Sequence, residues 1–211
     1  MKLILTTTGF LLFVFSSITA QRLEYDVIRS DESMGTTVVN RTNTNGKVTY
    51  LLNTKTEFRV IFKFEVEYEL EETFLNGTLQ SGRSFNTLNG NTQKETELAI
   101  KQGFYSLIID GIHTQVDEKE IRNSVSELYF EEPYDGKEVF SAYFGRMLTF
   151  DKIGEHLYKL VSPDGTNEYL YENGICVNVK VSRDFATFNQ VLKPELLAAV
   201  RNNKYANSIS K

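Results

Sequence analysis

From Phe58 to Glu71 the chain alternates apolar and charged residues with a period of two. Phe58, Val60, Phe62, Phe64, Val66, Tyr68 and Leu70 share one face of an extended strand. Arg59, Lys63, Glu65, Glu67, Glu69 and Glu71 take the other, with Ile61 the apolar intruder. A helix would scatter both sets around its circumference, whereas a strand sorts them cleanly. The pattern predicts one unusually long strand, reaching roughly 45 Å at the usual rise per residue. A strand of that length twists, so a strongly bent sheet is expected. The row of glutamates reads as a solvated outer face with basic residues on the neighbouring strand, and it guards against edge pairing.

Most of the remaining chain repeats strand, turn, strand. Leu23 to Arg29 and Thr36 to Asn40 are separated by Ser33-Met34-Gly35, and Asn43-Thr44-Asn45-Gly46 turns into Lys47 to Asn53. Asn76-Gly77 is a strong hairpin signal ahead of Thr78 to Phe85. Asn89-Gly90-Asn91, Gly103, Asp110-Gly111, Asp164-Gly165 and Asn173-Gly174 punctuate further short strands up to Ile175 to Val181. This is the grammar of an antiparallel meander of about ten to twelve strands, an all-β fold. Asp117 to Glu127 has the composition for one helical turn, and Pro133-Tyr134-Asp135-Gly136 reads as a loop. Pro194 to Val200 predicts a short helix, with proline at its first position and Glu195 in its first turn. No linker divides the chain, so a single β-rich domain is expected over 21–193, followed by a helix and polar tail over 194–211.

Residues 1–20 read as a signal peptide. Lys2 precedes an apolar run from Leu3 to Ile18, and Ser16-Ser17-Ile18-Thr19-Ala20 places small residues before Gln21. The run is diluted by Thr6, Thr7 and Thr8 and is short for a ~30 Å hydrocarbon layer, which argues against an uncleaved anchor. An exported chain beginning at Gln21 is expected, not transmembrane after cleavage. A membrane β-barrel would also alternate, but several strands carry charge on both faces and the chain closes on the polar Asn207-Ser208-Ile209-Ser210-Lys211.

Charge and composition narrow the chemistry. With 23 Lys and Arg against 28 Asp and Glu, and a net charge of -5, the chain lacks the basic excess of a nucleic-acid binder. One cysteine excludes an internal disulfide and a cysteine metal cage. Cys176 with His113 or His156 is the one conceivable thiol pair, but Cys176 sits mid-strand and reads as a small core filler. Acid doublets such as Glu71-Glu72, Asp117-Glu118 and Glu131-Glu132 point to opposite faces of a strand and make no glycosidase pair. Asp164-Gly165-Thr166-Asn167 lacks the spacing of a calcium loop. Asn40-Arg41-Thr42 and Asn76-Gly77-Thr78 are formal glycosylation sequons. No residue is assigned a catalytic role, and neither a metal nor a cofactor is expected.

Several stretches, taken in order, resemble a family of exported, β-rich bacterial proteins classed only as domains of unknown function. They are Tyr25-Asp26-Val27-Ile28-Arg29 with Gly35, and Phe62 to Tyr68 leading to Phe74-Leu75-Asn76-Gly77-Thr78-Leu79. Ser126 to Pro133 follows, then Val139-Phe140-Ser141 with Gly145, and Pro163-Asp164-Gly165 with Asn167, Tyr169 and Tyr171. The resemblance runs from Tyr25 to Val191, leaving the helix at Pro194 as an extension. It implies a curved meander, an incompletely closed barrel or roll, in the periplasm or at the surface of a Gram-negative bacterium. A bacterial host would weaken the sequon reading. The resemblance supplies no catalytic residue.

A bent single sheet with a one-sided aromatic strand leaves an apolar concavity, and no large second layer is evident to cover it. The leading expectation is therefore a non-enzymatic exported protein that holds an apolar ligand or lipid against Phe58, Phe62, Phe64, Val66 and Tyr68. The bland counterpart is a sheet closed on itself, with these residues as ordinary core. An alternative is an envelope scaffold or assembly factor that offers an edge strand or the face of Glu65, Glu67, Glu69 and Glu71 to a protein partner. A third is a hydrolase whose acids meet only in the fold.

Overall fold

The computed structural model describes residues 18–59, 63–184 and 186–202. The first half of the meander is β1 (Ile18–Arg29), β2 (Glu32–Thr44), β3 (Lys47–Arg59), β4 (Lys63–Leu75), β5 (Thr78–Leu88), β6 (Asn91–Lys101), β7 (Phe104–Ile109) and β8 (Ile112–Thr114). The second half is β9 (Glu138–Ser141), β10 (Arg146–Gly154), β11 (Leu157–Ser162), β12 (Gly165–Glu172), β13 (Ile175–Arg183) and β14 (Ala186–Leu192), followed by helix α1 (Pro194–Arg201). All strands join one antiparallel 14-stranded sheet, ordered β8-β7-β6-β5-β4-β3-β2-β1-β14-β13-β12-β11-β10-β9. The two halves are stitched where β1 meets β14, with Tyr25 opposite Leu192 and Ile28 opposite Asn189. The Asn-Gly turns behave as expected. Asn76 and Gly77, for example, have φ of 51° and 80°, the left-handed pair that matches the twist of a two-residue hairpin.

The expected single strand over Phe58 to Glu71 is corrected to a hairpin. The chain reverses between Arg59 and Lys63, so that Phe58 lies opposite Phe64 and Arg59 opposite Lys63. Phe58 and Phe64 are an even number of residues apart, so both keep the same face after the reversal. The alternation therefore runs straight through the turn, and no Gly, Pro or Asn marks it. The acid row lies on the outer face and finds partners there. Lys55 Nζ is 3.0 Å from Glu67, Lys63 Nζ is 2.7 Å from Glu65, and Asn53 Nδ2 donates to Glu69 at 2.8 Å.

The sheet rolls up without closing its ladder. Strands β8 and β9 form its two edges. The turn between β9 and β10 instead packs on the inner side chains of β7. A Cβ on Gly145 would lie 2.7 Å from Leu107 Cδ2 and 3.3 Å from Ile109 Cδ1. With φ at +66°, Gly145 is favoured both for its backbone and for the absence of a side chain. The result is an incompletely closed barrel.

The segment over residues 115–137 overturns the expectation that nothing covers the concave side. It crosses the inside of the roll and bonds to several walls. The N–H of Leu79 donates to Ile121 O at 2.9 Å, and that of Phe140 donates to Asn123 O at 2.9 Å. Tyr171 Oη donates to Leu128 O at 2.8 Å, and Tyr129 Oη donates to Gln190 Oε1 at 2.9 Å. Ile121, Leu128, Tyr129 and Phe130 are buried in the main apolar cluster. The helical turn expected within Asp117 to Glu127 lies later, as a 3-10 turn over Glu127–Tyr129.

Helix α1 forms as expected, starting at Pro194. Val200 is buried, Asn173 Nδ2 donates to Val200 O at 2.9 Å, and Arg201 makes a fork of two 2.7 Å hydrogen bonds to Glu172. The helix thus sits on the β12–β13 turn. Of the expected leader, residues 1–17 lie outside the described residues, while Ile18, Thr19 and Ala20 pair with Thr44, Asn43 and Thr42. Residues 203–211 of the expected tail also lie outside the described residues.

Candidate functional site

Antiparallel order sends alternate turns to opposite ends of the roll. The β3–β4, β5–β6 and β9–β10 turns share one end, and the β4–β5 and β12–β13 turns share the other with α1. Along the inner face of β4 the burial changes between these ends. Phe64, Val66 and Tyr68 are half-buried, whereas Leu70, Glu72 and Phe74 are buried. The same switch occurs between Thr54 and Leu52 on β3, between Asn86 and Ser84 on β5, and between Lys94 and Thr96 on β6. Its cause is the 115–137 segment, whose anchors at Leu79 and Tyr171 lie at the α1 end.

At the other end the Phe58 and Phe64 rings stack, with centroids 5.4 Å apart and planes 23° apart. They overhang their neighbours, since pairing of β3 with β2 stops at Thr56 and pairing of β4 with β5 begins at Val66. Neither ring belongs to the main apolar cluster, nor does Val66. Tyr68 packs against that cluster, edge-on to Tyr143 at 5.9 Å. The structure thus brings Phe58, Phe64, Val66 and Tyr68 along one lip. Phe62, the fifth expected lining residue, lies outside the described residues.

Beside this lip are residues that sequence reasoning missed. Thr54, Tyr68, Asn86 and Lys94 are consecutive cross-strand partners, forming one row over β3 to β6. Lys94 Nζ stands 4.3 Å from the Tyr143 ring centroid and 5.4 Å from that of Phe144. Burial pushes the Tyr143 hydroxyl pKa up, and a hydrogen bond with Asn86 opposes it. Asn86 Oδ1 is buried without a hydrogen-bond partner among the described residues. Lys94 was visible in principle, because it sits in phase with Thr96, Leu98 and Ile100 on the inner face. Tyr143 and Phe144 carry no such local signal, because only the rolling of the sheet brings them over β6.

The filled end has its own polar centre. Glu72 is 0% exposed, and its Oε2 accepts from Ser124 Oγ at 2.5 Å and from Ser126 Oγ. The two hydroxyls are also 2.9 Å from each other. The three contacts close into a ring when Glu72 carries a proton and donates to one serine, whose own hydroxyl then donates to the other. Burial pushes its pKa up to about 7; the hydrogen bonds from Ser124 and Ser126 pull the other way, and the charge of Glu127 adds to the rise. Nearby, Lys137 Nζ pairs with Glu127 at 2.8 Å, and burial also raises Glu127 despite that partner. As expected for adjacent strand residues, Glu71 faces outward and Glu72 inward. These groups moor the inner segment to β4.

The remaining sequence candidates are structural. Cys176 is fully buried on β13, its thiol donating to Asn178 O at 3.5 Å, and burial pushes its pKa well up. His113 is exposed on β8. His156 and Tyr158 both bond to Glu132 at 2.9 Å, tying the inner segment to the β10–β11 hairpin. Asp164, in the β11–β12 turn, pairs with Arg183 at the end of β13 at 3.4 Å. Among the described residues no cluster of three or more His, Cys, Asp or Glu is placed to hold a metal, and no helix is long and apolar enough to cross a membrane.

The strands that build both ends fall within one family match. Residues 25–193 match the family described as a domain of unknown function, DUF6134. The chain belongs to that family. The DUF6134 match runs from Tyr25 in β1 to Lys193, immediately before α1. In fold, this DUF6134 chain is similar to the crystal structure of a β-barrel-like protein of domain of unknown function DUF1849 from Brucella abortus. The TM-score is 0.55 at 11% identity, covering 85% of this chain and 98% of that one. No curated protein matches the sequence.

Proposed function

We propose that this DUF6134 protein is an exported, non-enzymatic binding protein that takes an apolar ligand at the open, β3–β4 end of its rolled sheet. One observation carries the reading: the inner face is buried by the protein's own 115–137 segment at the α1 end, but left half-buried at the Phe58, Phe64, Val66 and Tyr68 lip. Inward-facing aromatics outside the core hold apolar surface in contact with water, at about 25 cal/mol per Å², and a ligand that covers them recovers that free energy. Export rests on the Lys2, Leu3 to Ile18 and Ala20 pattern, with a periplasmic or surface location in a Gram-negative bacterium as the compartment. The outer acidic face gives a protein partner less support, because Lys55, Lys63 and Asn53 already engage Glu67, Glu65 and Glu69.

Native mass spectrometry with solvent extraction, on protein purified gently from its own envelope, tests both parts. A chain mass of Gln21 to Lys211 carrying a stoichiometric lipid-like adduct is the expected result. A bare chain overturns the ligand reading, and a mass that includes residues 1–20 overturns cleavage.

A further inference from the structure

We propose that the ligand of the open end is an amphiphile with an acidic headgroup, a carboxylate or a phosphate, and that Lys94 receives its charge. This rests on the apolar-ligand reading above and names the ligand class. The argument begins with a cation on the inner face of a sheet. Charged side chains there normally carry a partner, because half-removal from water costs hydration that only an opposite charge or strong hydrogen bonds replace. Several other half-buried cations follow that rule: Lys137 pairs with Glu127, Arg183 with Asp164, and Arg41 with Glu131, whereas Arg29 and Lys159 show no ion pair among the described residues. Lys94 makes no ion pair among the described residues and is held against the faces of Tyr143 and Phe144. Ring faces orient an ammonium, but they do not use its three hydrogen-bond donors.

Asn86 makes the same point from the acceptor side. It is the cross-strand partner of Lys94, and its Oδ1 is buried with no donor among the described residues. A cation without an anion and an acceptor without a donor thus lie side by side. The monoanion of a phosphate monoester, with one charged oxygen and one hydroxyl, matches both, whereas a carboxylate answers the cation alone.

The apolar part of the ligand is placed by register. From the Tyr68, Asn86 and Lys94 row, the next inner row toward the end holds Thr56, Val66 and Leu88, and the one beyond it holds Phe58 and Phe64. Two rows are four residues along a strand, or roughly 13 Å. Polarity therefore falls steadily from Lys94 to the aromatic overhang, the gradient of a single-chain amphiphile.

Calorimetric binding to the full chain tests this with three probes that share one alkyl tail: dodecanoate, dodecyl phosphate and dodecanol, each below its aggregation concentration. At least one acid is expected to bind about tenfold or more tightly than the alcohol, and the tighter of the two names the headgroup. Lys94→Gln should abolish that preference, bringing acid and alcohol to similar affinity, and Lys94→Arg should retain it. Phe64→Ser should weaken all three. If the acids bind no better than dodecanol, or Lys94→Gln keeps the preference, the role of Lys94 is overturned and the apolar reading stands. If none of the three binds, the apolar reading itself falls.

Discussion

The two ends of the roll are made by the same strands with the same alternation, yet they are finished differently. At the α1 end, β4 presents Leu70, Glu72 and Phe74 to the 115–137 segment, and every one of them is buried. At the β3–β4 end the same strand presents Phe64, Val66 and Tyr68, which stay half-buried. Each end also leaves a buried acceptor over: Glu72 Oε2 is ringed by Ser124 and Ser126, but Glu72 Oε1, like Asn86 Oδ1, has no hydrogen-bond partner among the described residues. Periodicity decides which face a side chain takes. What covers that face is decided by chain far away in sequence, and function is sought where nothing in the chain does so.

The comparison breaks most directly if the inner segment is not a true core. Leu128 is fully buried. Leu128→Ala removes apolar contacts and leaves a cavity, at a cost of about 4 kcal/mol, read from the midpoint shift in urea unfolding. A cost below about 1 kcal/mol would mean that the segment lies loosely in the roll, and that both ends are open.

Glu72 sharpens the comparison through pH. The unfolded carboxyl has its ordinary value of 4.5, and the folded one is pushed up to about 7. Between those values the unfolded chain is ionised at this site while the folded chain keeps its proton. Folding then takes up a proton, so stability falls as pH rises through the window and levels off above it. The stability lost amounts to about 3 kcal/mol. Glu72→Gln, neutral at every pH, should flatten this slope and be more stable than the parent at about pH 8, with little difference at about pH 4. An unchanged slope in Glu72→Gln would remove the protonated mooring.

The seam is the next weakest point. Gly145→Ala puts a Cβ against Leu107 at a positive φ, and should cost about 1–2 kcal/mol by thermal unfolding. No loss would show that the β9–β10 turn does not hold the edges together.

Much of this fold was legible because hairpins announce themselves locally. Asn76-Gly77, Asn89-Gly90 and Asn173-Gly174 each sit at a turn. The β3–β4 turn was hidden by its apolar residues and by a phase that survives reversal. β14, Ala186–Leu192, and β10, Arg146–Gly154, were missed because Asn189 with Gln190, and Asp151 with Lys152, blur their alternation. The four described lip residues were legible as one face. Lys94 and Asn86 were not, since their significance comes from Tyr143 and Phe144, which roll closure delivers from elsewhere in the chain.

The smallest expected effect is the most discriminating. Phe64→Ala removes a ring that stacks on Phe58 but lies outside the apolar cluster. A buried phenylalanine truncated to alanine costs about 3–5 kcal/mol, because water cannot fill the cavity and packing is lost on every side. The Phe64 ring already touches water on part of its surface, and it has one stacked neighbour whose pairing is worth about 1 kcal/mol. Phe64→Ala should therefore cost about 1 kcal/mol or less in urea unfolding, several-fold less than Leu128→Ala. It should at the same time weaken dodecanol binding, a combination that a structural residue does not show. Equal destabilisation by the two substitutions would make the lip part of the core, and the two ends of the roll would no longer differ in kind.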